Sequence, residues 1–208
     1  ENQTMSRRMF AELAFTPSVQ AVQESQGSRA FYVKEEVEEA DPGDVRFGEA
    51  ETAFIHARDS FYMATVSETG WPYVQHRGGP AGFVRVLDDT TLGLPDFRGN
   101  KQYVSVGNLK EDDRVSIIFM DYINKRRLKL LGHVSIIDPD DTQTLDKLRL
   151  PDYRAKVERG FLIRAAAFDW NCPQHITERY TEAHIREVLT PYQERIAELE
   201  AQLGVGSA

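Results

Sequence analysis

Three groups of amide and basic side chains hold the chemistry this sequence can offer. The first is Gln75-His76-Arg77, followed at once by Gly78-Gly79. In a strand alternate side chains share a face, so Gln75 and Arg77 point one way and His76 the other. The second is Asp96-Phe97-Arg98-Gly99-Asn100-Lys101. It reads as a loop entering a helix. Unpaired backbone N–H groups at the helix start, together with Arg98, Asn100 and Lys101, suit an anion, and Gly99 lets backbone approach it closely. The third is Lys125-Arg126-Arg127 with Lys129, basic within an acidic chain. Each group also has a plainer reading. Arg77 can be a surface charge, Lys101 a solvated helix lysine, and the Lys125 to Lys129 group a guard on an edge strand. Their position beside consecutive strands favours convergence on one small ligand.

Other chemistries lack their residues. The sequence has no Gly-x-x-x-x-Gly-Lys-Ser/Thr loop, no Gly-x-Gly-x-x-Gly fingerprint, no His-Glu-x-x-His and no Gly-x-Ser-x-Gly elbow. Cys172 and His175 have metal-like spacing, but two ligands do not make a zinc site, so no metal is expected.

The elements that must position these groups are short strands with a few helices. Ala50, Ala53, Phe54 and Ala57 share one face of a helix over Gly48 to Arg58. Phe61 to Ser67 and Trp71 to His76 form a hairpin about Glu68-Thr69-Gly70. Further strands are expected at Phe83 to Leu87, Thr90 to Leu94, Arg114 to Asp121, Leu128 to Ile137 and Phe161 to Phe168. A loop covers Pro95 to Asn100 and a helix Lys101 to Leu109. Asp138-Pro139-Asp140-Asp141 carries a helix-start signal for Thr142 to Leu148. Near the N-terminus, Met9, Phe10, Leu13 and Phe15 suit one packed helical turn, and a short helix begins near Thr16 or Ser18. The acidic run Lys34 to Asp41 reads as a solvated segment before a Pro42-Gly43 turn. Thr181 to Leu203 is helical, with Ile185, Val188, Leu189, Tyr192, Ile196, Leu199 and Leu203 as an apolar stripe. Pro191 is expected to kink or divide it. The fold class is therefore mainly β: a six- to seven-stranded antiparallel split β-barrel with flanking helices and a C-terminal helix. Residues 1–45 form an N-terminal extension, 46–175 the barrel and 176–208 a helical tail.

Composition narrows the partners. The chain has 208 residues, 41% hydrophobic and 28% charged, which suits one globular domain with additions. A net charge of -8 opposes general nucleic-acid binding but not one phosphate held by a local basic cluster. The single cysteine excludes an intrachain disulfide, and no apolar run suits a membrane span. A cytoplasmic protein is expected.

Read in order, these motifs resemble a known family. They are Phe-Tyr-Met-Ala-Thr-Val-Ser, then Gly-Trp-Pro-Tyr-Val-Gln-His-Arg-Gly-Gly, Thr-Leu-Gly-Leu-Pro-Asp-Phe-Arg-Gly-Asn-Lys, Asn-Leu, Val-Ser-Ile-Ile-Phe and Arg-Leu-Lys-Leu-Leu-Gly. The set, from about Ala53 to Ile137, is similar to the pyridoxamine 5'-phosphate oxidase-like, FMN-binding split-barrel family. The resemblance implies a homodimer with FMN at the subunit interface. It places Gln75, His76 and Arg77 along the flavin, and Arg98, Asn100 and Lys101 at its phosphate. Arg127 and Lys129 would reach the flavin from another strand. Trp170 and Gln174 would belong to a closing segment that runs on to His175. Gln75 and Gln174 can pair with an imide edge; Trp170 can stack on a ring, or more commonly fill a core, and His175 can donate a proton, or more commonly sit as a surface or core histidine. The Arg-x-His motif by which true pyridoxamine phosphate oxidases hold their substrate is absent. The resemblance thus implies a flavin-dependent oxidoreductase of unknown small-molecule substrate, with a nicotinamide donor as one option. The alternatives are a non-catalytic flavin-binding or storage protein, or a haem or deazaflavin binder on the same barrel.

Overall fold

The computed structural model describes residues 2–36, 45–171 and 173–204. The acidic run from residue 37 onward, the Pro42-Gly43 turn and Cys172 lie outside them. Three helices come first: α1 (Asn2–Ala14), α2 (Pro17–Ser25) and α3 (Arg29–Glu36). Thr16 caps α2 by accepting from the Val19 N–H, and Pro17 occupies the first turn, where its missing N–H loses nothing. Then follow α4 (Glu49–His56), β1 (Ser60–Val66), β2 (Pro72–Gly78), β3 (Arg85–Val86), β4 (Thr91–Phe97), α5 (Val104–Glu111), β5 (Arg114–Asp121), β6 (Arg126–Ile137), α6 (Thr142–Leu148), β7 (Val157–Asn171) and α7 (Glu182–Leu203).

The seven described strands form one open sheet in the order β2-β1-β5-β6-β7-β4-β3. Neighbours β1/β2, β1/β5, β3/β4, β4/β7 and β6/β7 all pair antiparallel. This is the mainly β, split-barrel architecture expected, with flanking helices and a C-terminal helix. Alternation builds its core: Phe61, Met63, Ile117, Phe119, Leu128, Leu130, Leu92, Leu94, Phe161 and Ile163 are all buried on the inner face. Phe61 stacks on Phe83 and tilts against Phe119 at centroid distances of 5.8 and 5.1 Å. Helix α1 is docked on β7 by Ser6, whose hydroxyl donates to the Phe168 carbonyl at 2.7 Å and accepts from its N–H at 3.0 Å.

Several element boundaries differ from expectation. The third strand shrinks to Arg85–Val86, because Phe83 and Val84 are drawn into the core and the Phe83 N–H donates to Pro80 in a turn. Strand β4 runs through Pro95 to Phe97 instead of ending at Leu94. β3 pairs only with Leu92 and Gly93, so from Leu94 onward β4 is an edge on that side, where proline is tolerated. Helix α5 starts at Val104 and not Lys101, since Lys101 and Tyr103 take φ of 61° and 53°, outside the helical region. Strand β7 is twice as long as its apolar run, because it pairs with β4 along one side and β6 along the other. Helix α3 lies where no helix was read, and α7 continues through Pro191 without a break.

The chain divides into two compact units. One comprises residues 1–120 and 127–172, and carries the helices α1 to α6 and most of the sheet. The other comprises residues 121–126 and 173–208. Within it, Lys125 pairs with Glu178 at 2.7 Å and the Arg179 guanidinium lies over the Tyr122 ring. No helix among the described residues is long and apolar enough to cross a membrane.

Candidate functional site

A cleft of about 230 Å³ opens beside strand β2. One wall is the inward row of that strand: Tyr73, Gln75 and Arg77. They sit opposite Thr65, Met63 and Phe61 of β1, so they share the core face, and His76 points away onto Tyr62. A second wall comes from the end of β4 and the following loop, with Asp96, Phe97, Gly99, Asn100 and Lys101. The first turn of α5 supplies Val104, Ser105 and Val106, and β7 supplies Glu158.

The polar groups are fixed by one another. The Arg77 guanidinium donates to Asp96 Oδ1 at 2.7 Å and lies 4.7 Å over the Phe161 ring. The side chains of Arg77 and Asp96 are only 9% and 12% exposed, so this is a buried charge pair. The other Asp96 oxygen lies 3.4 Å from Arg159 Nε. Gln75 Oε1 accepts from the Ser105 hydroxyl at 2.7 Å, which orients its amide. Asn108, one turn further on α5, donates to Thr65 at 2.9 Å and anchors the helix over the sheet. Glu158 accepts from Arg98 at 2.7 Å and from the Tyr103 hydroxyl at 3.4 Å. The Arg98 hydrogen bond holds the Glu158 carboxyl below its ordinary range against an opposing effect of burial, with Tyr103 and Arg159 adding to the depression. Arg98 is raised in return, chiefly by that same bond.

A backbone irregularity explains how Glu158 and Arg159 both reach this region. The β4/β7 register shifts between Asp96 and Phe97: Asp96 faces Arg159, but Phe97 faces Val157. Glu158 is the extra residue of a bulge, and a bulge re-aims side chains that would otherwise alternate. Arg159 then packs its guanidinium 5.0 Å from the Tyr103 ring.

The site suits an anionic ligand with hydrogen-bond acceptors. Helix α5 has no side-chain cap at its N-cap Tyr103, so its first-turn amides are uncapped beside Lys101. Asn100 is engaged locally, accepting from the Gln102 N–H at 3.1 Å. A Cβ on Gly99 would meet nothing within 4 Å, so space adjoins the backbone there. Within the cleft lining, Arg77 Nε is buried with no hydrogen-bond acceptor among the described residues. The Nε atoms of Arg85 and Arg127, outside the cleft lining, are in the same state, so the Arg77 donor fits an outside acceptor only together with Lys101 and the start of α5.

The residues singled out in the sequence divide between places. Gln75, Arg77, Asn100 and Lys101 line the cleft. Arg98 stands at its margin, tied to Glu158. Arg127, Lys129 and Trp170 lie on the β6/β7 ladder, outside the cleft lining. Lys129 is 3.6 Å from Asp169 and 4.7 Å from the Phe10 ring centroid. Trp170 donates to Glu51 at 2.7 Å and meets Phe54 edge-on. Gln174 and His175 are exposed residues of the second unit. Sequence reasoning missed Tyr73, Asp96, Tyr103, Ser105, Glu158 and Arg159. Tyr73 was within reach, two residues before Gln75 on the same face.

Comparison with known proteins adds a family. Residues 47–167, more than half of the chain, match the family model described as pyridoxamine 5'-phosphate oxidase. No curated protein matches. Among solved structures, HupZ from Group A Streptococcus is 14% identical, with 64% of this chain and 99% of that one covered and a TM-score of 0.46. An FMN-binding protein from Syntrophomonas wolfei is 15% identical, with 58% and 83% covered and a TM-score of 0.45. General Stress Protein 26 from Bacillus anthracis is 13% identical, with 57% and 88% covered and a TM-score of 0.44.

Proposed function

Because the chain belongs to the pyridoxamine 5'-phosphate oxidase family, we propose that it binds FMN in the β2/α5 cleft and acts as a flavin-dependent oxidoreductase on a small molecule. The observation that carries this reading is the union of a helix start without a side-chain cap, Lys101 and the buried Arg77 Nε, which has no acceptor among the described residues, in one cleft. Lys101, Asn100 and the first-turn amides of α5 would hold the phosphate. Gln75, oriented by Ser105, and Arg77, fixed by Asp96, would hydrogen-bond the ring system. Bound flavin supplies the electron transfer. The chain's part is to bind, orient and set the charge beside it. A guanidinium held rigid by Asp96 stabilises negative charge without reorganising.

The reading extends to a homodimer with the flavin between subunits. A cleft of about 230 Å³ falls below the ~300–1,000 Å³ of complete small-molecule pockets. The shortfall supports walls completed by a second chain. The outer face of the β1/β2 edge also leaves Tyr62, Val66, Trp71 and Val74 exposed, an apolar patch that a second copy would cover.

The absorption spectrum of the purified protein, before and after added FMN, tests the proposal. The two-band visible spectrum of an oxidised flavin is expected. A colourless protein that takes up no FMN overturns it, and a haem or deazaflavin spectrum replaces it with a different cofactor. Anaerobic NADH or NADPH, followed by candidate acceptors, then separates turnover from storage: bleaching and reoxidation support the oxidoreductase, and an unreduced flavin does not.

A further inference from the structure

The 22-residue helix α7 has no buried residue among those described. Yet Ile185, Leu189, Tyr192, Ile196, Leu199 and Leu203 stand 39–75% exposed along it. In proteins most of a helix's stability comes from packing an apolar face. The spacing of these six residues is 4-3-4-3-4. That is the a/d alternation of a left-handed coiled coil, with Leu189, Ile196 and Leu203 at a and Ile185, Tyr192 and Leu199 at d. Val188, also exposed, adds one apolar residue at the g position beside this seam.

We infer that α7 pairs in parallel with α7 of a second copy of this chain. The flanking charges choose the occupant and its direction. Arg195 falls at g and Glu200 at the following e, the two positions that face each other across a parallel pair. Each copy's Arg195 then meets Glu200 of the second copy, twice per dimer, with no like-charge contact at these positions. In the antiparallel arrangement of full overlap, g faces g, and Arg195 would oppose its own copy. Within one chain Arg195 rests on Glu198 at 2.7 Å, a surface pair that contributes little and is free to exchange. Pro191 takes the outward c position, so its ring stays off the seam.

The zipper spans fewer than three heptads and opens readily, so covalent trapping reads it better than mass does. The full chain carries Cys172→Ser, removing the sole native cysteine, with either Leu199→Cys at d or Glu194→Cys at the outward f position. Parallel pairing brings the two 199 positions into one layer, within the ~4.4–6.8 Å Cα separation a disulfide needs. Under mild oxidation the Leu199→Cys chain is expected to cross-link about tenfold or more faster than the Glu194→Cys chain. Equal rates, or no cross-link at 199, overturn the proposal, since an antiparallel pair or a helix docked on its own chain leaves the 199 positions apart. Far-UV circular dichroism on both variants establishes that α7 is intact. The outcome is independent of the absorption spectrum, so this inference and the FMN reading stand or fall separately.

Discussion

At the scale of single residues, the cleft sets Lys101 apart from its neighbours. Arg77 and Arg98 are committed to carboxylates, at 2.7 Å each, whereas no partner holds Lys101 among the described residues. Its charge is free for a ligand phosphate. Lys101→Glu should therefore weaken FMN by about tenfold or more and leave riboflavin nearly unchanged, as measured by flavin-fluorescence titration; equal losses for both ligands would remove Lys101 from the phosphate. Asp96 has the opposite character, since it serves two arginines. Asp96→Ala strands the buried Arg77 charge and should cost about 3 kcal/mol or more in urea unfolding, with Asp96→Asn costing less because one acceptor remains. The legible part of this site was the alternation of β2, which put Gln75 and Arg77 on one face from spacing alone. Glu158 and Arg159 were not legible, because a one-residue bulge against Asp96 breaks the period on which strand reading depends.

Among elements, the junction between α5 and β5 carries the clearest acid response. Asp112 ends α5, and its carboxylate takes two hydrogen bonds from the Arg114 side chain at 2.8 and 2.6 Å. Those bonds, chiefly, lower its pKa from 3.8 to about 2. A carboxyl depressed on folding contributes its stability in full above its unfolded value, and loses it as the pH falls through the folded one. The Asp112 contribution is thus complete above pH ~4 and gone below pH ~2. Asp112→Asn should flatten that part of the acid limb in a series of urea midpoints; an unchanged limb would mean the pair persists in the unfolded chain. Most strands were readable from their period-2 pattern, and β5 and α6 agree residue for residue with their expected bounds. The misses have local causes. Phe83 and Val84 look like strand residues but serve the core, and Pro95 reads as a breaker but sits on an edge. The start of α5 was misplaced because two non-glycine residues adopt a conformation that side-chain type does not announce.

Across the whole molecule, light scattering should give the mass of two chains, about 47 kDa from a chain of 23.7 kDa; a mass near one chain removes the shared flavin site. The loop before α5 also bears on how this fold responds to selection. Lys101 and Tyr103 hold left-handed backbone with side chains that disfavour it, at a cost on the order of 1 kcal/mol each. Natural domains keep a margin of only about 5–15 kcal/mol, so the two positions are ready gains for any screen that rewards heat resistance. Glycine at 101 or 103 relieves the backbone, yet removes the ammonium or the ring that Arg159 packs against. Laboratory evolution for hardiness alone should therefore enrich glycine there and deliver robust proteins with impaired ligand capture, while evolution under a binding requirement should retain lysine and tyrosine. Which of the two outcomes appears would reveal whether shape or chemistry weighs more in this loop.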